Sequence, residues 1–503
     1  MVARTTAETT EPGGTTVADA LQAFLCDFPA YASTSRIDAL RVSEYGRLDE
    51  AGCVYLDYTG SSLPADRQIR AHSVLLASHV FGNPHSASPA SMATTDVVEA
   101  TRRAVLEWFN AALDYIVVFT PNATGAIKLV AESFPFRPGG ALLLTADNHN
   151  SVNGMREFAT ARGATVGYAR LTVPELRLDR LDVTARLAEA SGEAPRLFAF
   201  PAQSNFSGVK HPLDLVAEAQ GHGWRVLLDA AAYVPTNRLD LAELRPEFVA
   251  LSFYKMFGFP TGVGCLLVRR DTVPELERPW FAGGTVNFAT VGRRAHLLSP
   301  GEAGFEDGTL NFHSIPAVRT GLDHLASIGI DLIETRVRCL TGWMLRELLA
   351  LQHANGRPLV RIYGPTTTAM RGSIVTMNFY DPGGHLLDYR RVEELAGERG
   401  ISLRTGCFCN PGVGEAAEGI TDDDIAAAMA ATSDLSLPRF LQFITHRSGK
   451  SAGAIRISFG VASTFDDAWA FRQFAASLRD HTNLTIGEVT FDITSCRIIR
   501  DGS

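Results

Sequence analysis

The sequence predicts an α/β fold, in which a large domain with a mainly parallel sheet is followed by a smaller α+β domain. Three observations carry this reading. Between about residues 100 and 320, short unbroken apolar runs alternate with helical stretches, the pattern of strands covered on both faces. Beyond about residue 330 the alternation gives way to long helices and isolated strands. A chain of 503 residues can also bury a large core and divide into two to four domains.

In order, Tyr115 to Thr120 reads as a strand and Asn122 to Phe134 as the helix that follows it. Ala141 to Thr145, Arg196 to Pro201, Trp224 to Asp229, Val249 to Phe253 and Gly264 to Arg269 are five further strands. Then come a helix at Leu332 to His353, a strand at Ser373 to Tyr380, a helix at Tyr389 to Gly400 and a strand at Ala454 to Phe459. The expected division is a disordered tail over 1–16, an arm over 17–50 that packs on the small domain, a large domain over 51–325 and a small domain over 326–503. The tail is rich in Thr, Ala, Glu, Gly and Pro and lacks the apolar core of a signal peptide. No internal repeat is visible, and Ser433 to Lys450 and the stretch from Thr482 onward carry no assignable chemistry.

A net charge of −9 gives no electrostatic reason to expect nucleic acid or an anionic membrane as partner. No apolar run approaches the roughly 20 residues of a membrane span. The seven cysteines are odd in number and scattered, apart from Cys407 and Cys409, so they do not make a disulfide framework. A reducing, cytoplasmic setting is expected.

The most informative segment is Ser252-Phe253-Tyr254-Lys255-Met256-Phe257-Gly258-Phe259-Pro260. An amine leaving a buried strand among aromatics loses hydration and charge, as a Schiff-base lysine must. A second apolar strand upstream ends in Asp229. A strand-end acid followed by a strand-end lysine is the pattern that holds pyridoxal phosphate, with the carboxylate on the pyridinium nitrogen and the lysine on the aldehyde.

Other polar residues fall at strand ends, where open α/β sheets collect ligands. The run from Phe119 to Ala126 passes from strand into helix, and its free N–H groups suit a phosphate, although Thr120 or Asn122 also serves as a plain cap. Ser252 and the Tyr254 hydroxyl add donors beside the lysine, and Gly283-Gly284-Thr285 is a second Gly-rich turn. His149, in Asp147-Asn148-His149-Asn150-Ser151, is placed to stack on a pyridine ring and shuttle protons, or is a loop residue with no such role. Gln203 and Asn205 offer amides to a phenolate oxygen, or serve their own turn. The pair Cys407 and Cys409 lies in a Gly/Pro/Asn loop beside Arg404. It admits three roles: a nucleophile, a structural pair, or two ligands of a metal site that lacks its other members. Arg456 suits an α-carboxylate or an ordinary buried ion pair.

These residues resemble the fold-type I, class V aminotransferase/cysteine desulfurase family. More narrowly, they resemble the amino-terminal desulfurase domain of eukaryotic-type molybdenum cofactor sulfurases. The matching stretches are Tyr55-Leu56-Asp57, Phe81-Gly82-Asn83-Pro84-His85-Ser86, Asp147-Asn148-His149, Pro201 to Gly208, Ser252 to Pro260 and Arg404 to Gly412. The lysine, Gln-Ser-Asn and Cys-Phe-Cys segments are specific, and the others are generic to the superfamily.

The resemblance implies a pyridoxal-phosphate-binding large domain in which Lys255 binds the cofactor aldehyde and Asp229 pairs the pyridinium. It places His149 on the ring and Gln203 and Asn205 near the phenolate oxygen. Ala123, Thr124, Ser252 and Tyr254 then surround the phosphate, with Thr285 reaching the phosphate of another subunit of a homodimer. Arg456 and Asn83 become substrate-binding residues, and Cys409, rather than Cys407, takes the persulfide position. No metal ligands are implied.

The implied reaction converts L-cysteine to L-alanine and leaves a persulfide on Cys409 for a sulfur-acceptor protein or cofactor. The chain is expected to lack the carboxy-terminal, molybdenum-cofactor-binding domain of the longer sulfurases, which leaves the acceptor open. A C–S lyase or an aminotransferase acting on another amino acid is the alternative, with Cys409 a bystander. A non-catalytic scaffold is disfavoured by the presence of both Lys255 and Asp229.

Overall fold

The computed structural model describes residues 16–84, 86–189, 192–431, 453–482, 484, 489–492 and 497–500. The expected tail, apart from Thr16, and the unassigned stretch from Ser433 to Lys450 lie outside the described residues.

The central sheet has seven strands in the order Tyr115–Thr120, Gly264–Arg269, Phe248–Ser252, Arg225–Asp229, Arg196–Pro201, Ala141–Thr145 and Thr165–Ala169. The pairs from Phe248–Ser252 to Thr165–Ala169 are parallel, while Gly264–Arg269 runs antiparallel to both of its neighbours. Alternate residues enter opposite layers: Tyr115, Val117 and Phe119 join one core and Ile116 and Val118 the other. Burial on both faces explains why these strands read as unbroken apolar runs. Each fully buried Val, Leu or Phe contributes about 1.5–3 kcal/mol. The edge strand Thr165–Ala169 escaped the sequence reading because its sequence, Thr-Val-Gly-Tyr-Ala, is neither unbroken nor apolar, and most of it is only half-buried.

Two boundaries shift in ways that matter. Phe253 leaves the strand and opens a one-turn helix, Phe253–Phe257, on which Lys255 sits. The helix after the first strand is Ala123–Ser133, and Asn122 caps it by accepting the Gly125 N–H at 2.9 Å on Oδ1.

A second, four-stranded antiparallel sheet has the order Val360–Tyr363, Ile374–Phe379, Ala454–Ser458 and Arg404–Gly406. Helices Ile330–Ala350, Tyr389–Gly397 and Phe465–Ser477 belong to the same part of the chain. The amino-terminal helix Val17–Asp27 starts in a capping box made by Thr16 and Asp19 and buries Phe24 against the rings of Trp343 and Phe465. Arg336, wholly buried, donates to the Thr34 carbonyl and pairs with Asp38. Strand Val54–Tyr55 pairs in parallel with Ile401–Ser402, and Asp57 bridges to Ser458. The segment before the central sheet therefore packs first on the part of the chain that carries the second sheet. No described helix is long and apolar enough to cross a membrane.

One buried contact gives the fold a pH dependence. The Tyr45 hydroxyl and His324 Nε2 lie 2.9 Å apart, both side chains buried. Burial above all, with the Arg67 charge added, holds the His324 pKa down to about 4. The unfolded chain therefore binds a proton first as the pH falls. The stabilisation from the neutral ring is fully present above about pH 6.5 and is lost toward pH 4, by up to roughly 3 kcal/mol. Urea midpoints of the parent and a His324→Gln variant should diverge between pH 7 and pH 4.5, with the parent falling faster. Parallel curves would remove His324 from the account.

Candidate active site

Parallel strands carry their carboxyl ends to one edge of the sheet, so the segments after Thr120, Thr145, Pro201, Asp229 and Ser252 meet there. They enclose a cavity of about 150 Å3. Nine residues expected from the sequence line it: Ala123, Thr124, His149, Gln203, Asn205, Asp229, Ser252, Tyr254 and Lys255. Ser151, which the sequence reading did not single out, lines it too.

The Lys255 amine is held below the usual lysine range, first because burial penalises its charge. Asp229 and Asp57 act against that shift and Arg456 adds to it. Asp229 accepts one hydrogen bond, from the Ala231 N–H to Oδ1 at 3.0 Å, and Oδ2 takes none from the described residues. His149 caps the short helix Asn150–Asn153 by accepting the Ser151 N–H on Nδ1 at 3.1 Å. That bond assigns the ring proton to Nε2. Burial lowers the pKa of the ring, with Asp229 opposing and Lys255 and Arg456 assisting, so the ring is neutral. At the start of helix Ala123–Ser133, Ser252 Oγ accepts the Ala123 N–H at 2.8 Å and the Thr124 and Ser151 hydroxyls are 2.7 Å apart. Burial pushes the Tyr254 phenol up, which keeps it a donor.

Gln203 donates to the Ala232 carbonyl at 2.9 Å, while its buried Oε1 has no partner among the described residues. Asn205 is committed differently from the expectation. Its Nδ2 donates to the Phe408 carbonyl at 2.8 Å, and its Oδ1 accepts from Asn410 Nδ2 at 2.9 Å. Its amide therefore holds the cysteine loop at the edge of the cavity.

That loop is fixed from three sides. The Asn150 N–H donates to the Cys409 carbonyl at 2.7 Å, and Asn410 Nδ2 also donates to the Asp147 carbonyl at 2.6 Å. Phe408 and Cys409 both adopt positive φ, an uncommon pairing for residues with side chains. Cys409 is exposed and Cys407 half-buried; burial first of all raises the Cys407 thiol. Gly412 packs so closely on the histidine loop that a Cβ there would lie 2.1 Å from the Ala146 carbonyl oxygen. Gly412→Ala is expected to push the two loops apart and destabilise the protein by about 1–3 kcal/mol. Its thermal midpoint checks this, and a variant as stable as the parent would refute it.

Arg456 and Cys409 do not line the cavity. Arg456 Nη1 donates to the Asn205 carbonyl at 3.0 Å, Nη2 pairs with Asp57 at 3.0 Å, and the Phe408 ring lies 4.7 Å beneath the guanidinium. Thr285 is wholly buried, and its hydroxyl accepts the Ala282 N–H and donates to the Ala282 carbonyl in its own turn. Asn83 is exposed, outside the cavity, with Nδ2 at 3.4 Å from the Thr309 hydroxyl.

Asp57 and the pair Asp147–His211 went unassigned in the sequence. Asp147 Oδ2 and His211 Nε2 are 2.6 Å apart with both side chains fully buried, beneath the histidine loop. Asp57 ends a short apolar run, Val54-Tyr55-Leu56, and that strand-end acid was a usable signal. His211 follows a turn in which no local pattern marks it.

A lysine of suppressed charge facing a strand-end carboxylate, at the carboxyl edge of a mainly parallel sheet, defines a fold type I enzyme. A cysteine desulfurase from Thermococcus onnurineus NA1 superposes with a TM-score of 0.71 at 22 % identity, over 88 % of this chain and 97 % of that one. The chain belongs to the aminotransferase class-V family, whose sequence profile matches residues 54–471. Among relatives, the molybdenum cofactor sulfurase of Arabidopsis thaliana is 38 % identical over 91 % of this chain and 60 % of its own length. That of Homo sapiens is 36 % identical over 88 % of this chain and 51 % of its own length. The chain thus spans between half and about three-fifths of these relatives.

Proposed function

We propose that this chain is a pyridoxal-phosphate-dependent cysteine desulfurase of the molybdenum cofactor sulfurase type, which converts L-cysteine to L-alanine and places the released sulfur on Cys409 as a persulfide. One observation carries the reading beyond the family: the Cys409 loop is bonded to Asn150 and Asn205, on the two segments that also carry His149 and Gln203 into the cavity.

The cavity fits the cofactor on its donor set. Asp229 Oδ2 takes no hydrogen bond from the described residues and is open to a ring nitrogen. At the start of helix Ala123–Ser133 the Thr124 N–H, beside the Thr124 and Ser151 hydroxyls, is left for a phosphate, whereas the Gln203 amide N–H is spent on Ala232. When bound, pyridoxal phosphate supplies an aldehyde for a lysine and an electron sink for a carbanion at the substrate α-carbon. Lys255, whose charge burial disfavours, takes the α-proton at Nζ and returns a proton to the product. His149, neutral and carrying its proton on Nε2, stacks and donates without adding charge. Arg456 receives the α-carboxylate. The Cys409 thiolate forms the new S–S bond while the substrate Cβ–S bond breaks, and the electron pair left on carbon is protonated to give alanine. The persulfide then passes to an acceptor protein or cofactor.

A homodimer and a cytoplasmic setting complete the proposal. The six described cysteines are all free, as a reducing compartment requires. The test is the amino-acid product formed from L-cysteine and a reductant by the purified protein. Alanine in step with sulfide supports the desulfurase. Pyruvate with ammonia would replace it with a C–S lyase in which Cys409 is dispensable, and turnover only with a keto acid would make it an aminotransferase.

A further inference from the structure

Asp57 stands between two arginines at the corner where the cavity meets the cysteine loop. Its carboxylate is buried, as is Arg456, whereas the Arg404 side chain is 53 % exposed. Oδ1 takes Arg456 Nη2 at 3.0 Å, and Oδ2 takes Arg404 Nε at 2.8 Å and Nη2 at 2.6 Å. The arrangement follows from strand register. Arg404 and Arg456 face each other across Arg404–Gly406 and Ala454–Ser458, and Asp57 joins the second of these strands through its bridge to Ser458.

The Asn205 carbonyl, the Asp57 carboxylate and the Phe408 ring fix the orientation of Arg456, and its buried Nε has no partner among the described residues. Two guanidinium cations share a single carboxylate, so this corner carries one net positive charge. Glu393 also acts on Arg404, but it makes no ion pair with it among the described residues and is instead bonded by the Thr405 hydroxyl at 2.6 Å, while burial disfavours its charge. Across the cavity, Asp229 favours the Lys255 charge that burial disfavours.

We propose that Asp57 is a specificity-determining residue that matches the site to amino acids with one negative charge, an α-carboxylate on a neutral side chain. The proposal rests on the reading of Arg456 as the α-carboxylate receptor. One carboxylate brings the corner to neutrality; a second anionic group on the same ligand would be left uncompensated in a buried place. Without the Asp57 charge, Arg404 loses its partner and becomes a free cation at the mouth, open to an anionic side chain.

The experiment measures dissociation constants of L-alanine and L-aspartate for the purified holoenzyme, from the change in its visible absorption. Neither ligand has sulfur to lose. The parent should bind alanine at least about tenfold more tightly than aspartate. In Asp57→Asn that preference should shrink by about tenfold or reverse, and in Asp57→Asn/Arg404→Gln it should return. Arg404→Gln alone keeps Asp57 and should weaken alanine, because the corner then carries no net charge; this arm stands even if Asp57→Asn fails to fold. Equal binding of the two ligands by the parent, an unchanged ratio in Asp57→Asn, or a ratio that Arg404→Gln does not restore overturns the proposal. Arg456→Lys tests the underlying reading separately, since it should weaken both ligands together and leave their ratio alone. If Arg456→Lys leaves both affinities unchanged, that reading falls and the proposal with it.

Discussion

Lys255→Ala is expected to abolish the visible absorption of the purified protein and to lower turnover of L-cysteine by about 10^3-fold or more, the scale of losing a positioned acid–base group. The fold should survive. Lys255 is a buried amine whose charge is already disfavoured, so its removal relieves a desolvation penalty rather than breaking an ion pair that stabilises the chain. A thermal midpoint at or above the parent value, together with loss of absorption and turnover, is the expected combination. Lys255→Arg sharpens the test. It places a permanent cation beside Asp229 instead of an amine that can lose its proton, and it should be as inactive as alanine. Turnover retained in either variant would overturn the role assigned to Lys255.

Cys409→Ser should separate two halves of the reaction. The cavity lining is untouched, so absorption and exchange of the substrate α-proton with solvent deuterium should persist. Persulfide on the protein should fall to background, and alanine formation to roughly a hundredth of the parent rate or less. Cys407→Ser is the control. Burial raises the Cys407 thiol, which lowers its thiolate fraction at neutral pH, and its loss should change the rate by no more than about threefold. Alanine formation unaffected by Cys409→Ser, or persulfide recovered on Cys407, would remove Cys409 from the mechanism.

The site was legible in the sequence where a residue's chemistry and its position in a strand coincide. Asp229 and Lys255 each follow an unbroken apolar run, and parallel strands buried on both faces must deliver their carboxyl ends to one edge. Asn122 to Thr124 could be read the same way, as the start of a helix facing that edge. The Cys-Phe-Cys segment could be read as a chemically unusual loop, but nothing local said what it would touch.

Thr285 shows the limit of reading a turn by composition. In the Gly-Gly-Thr turn Gly283 and Gly284 are exposed, yet packing buries Thr285 completely and its hydroxyl closes on its own backbone. Asn205 shows the same limit for an amide: the residue type was right for a polar contact, but the partner is a carbonyl about 200 residues later in the chain.

The sequence by itself determined the fold class, six of the seven strands of the central sheet, and the lysine–aspartate pair, because hydrophobic period and strand-end chemistry are local properties. Tertiary structure alone decided that Asp57 is shared by Arg404 and Arg456, that Asp147 lies buried against His211, and that Asn150, Asn205 and Asn410 bind the cysteine loop to the cavity wall. These contacts join residues 64 to 399 positions apart. Their geometry depends on which strands become neighbours and in what register, and on which polar groups are left buried and must find one another.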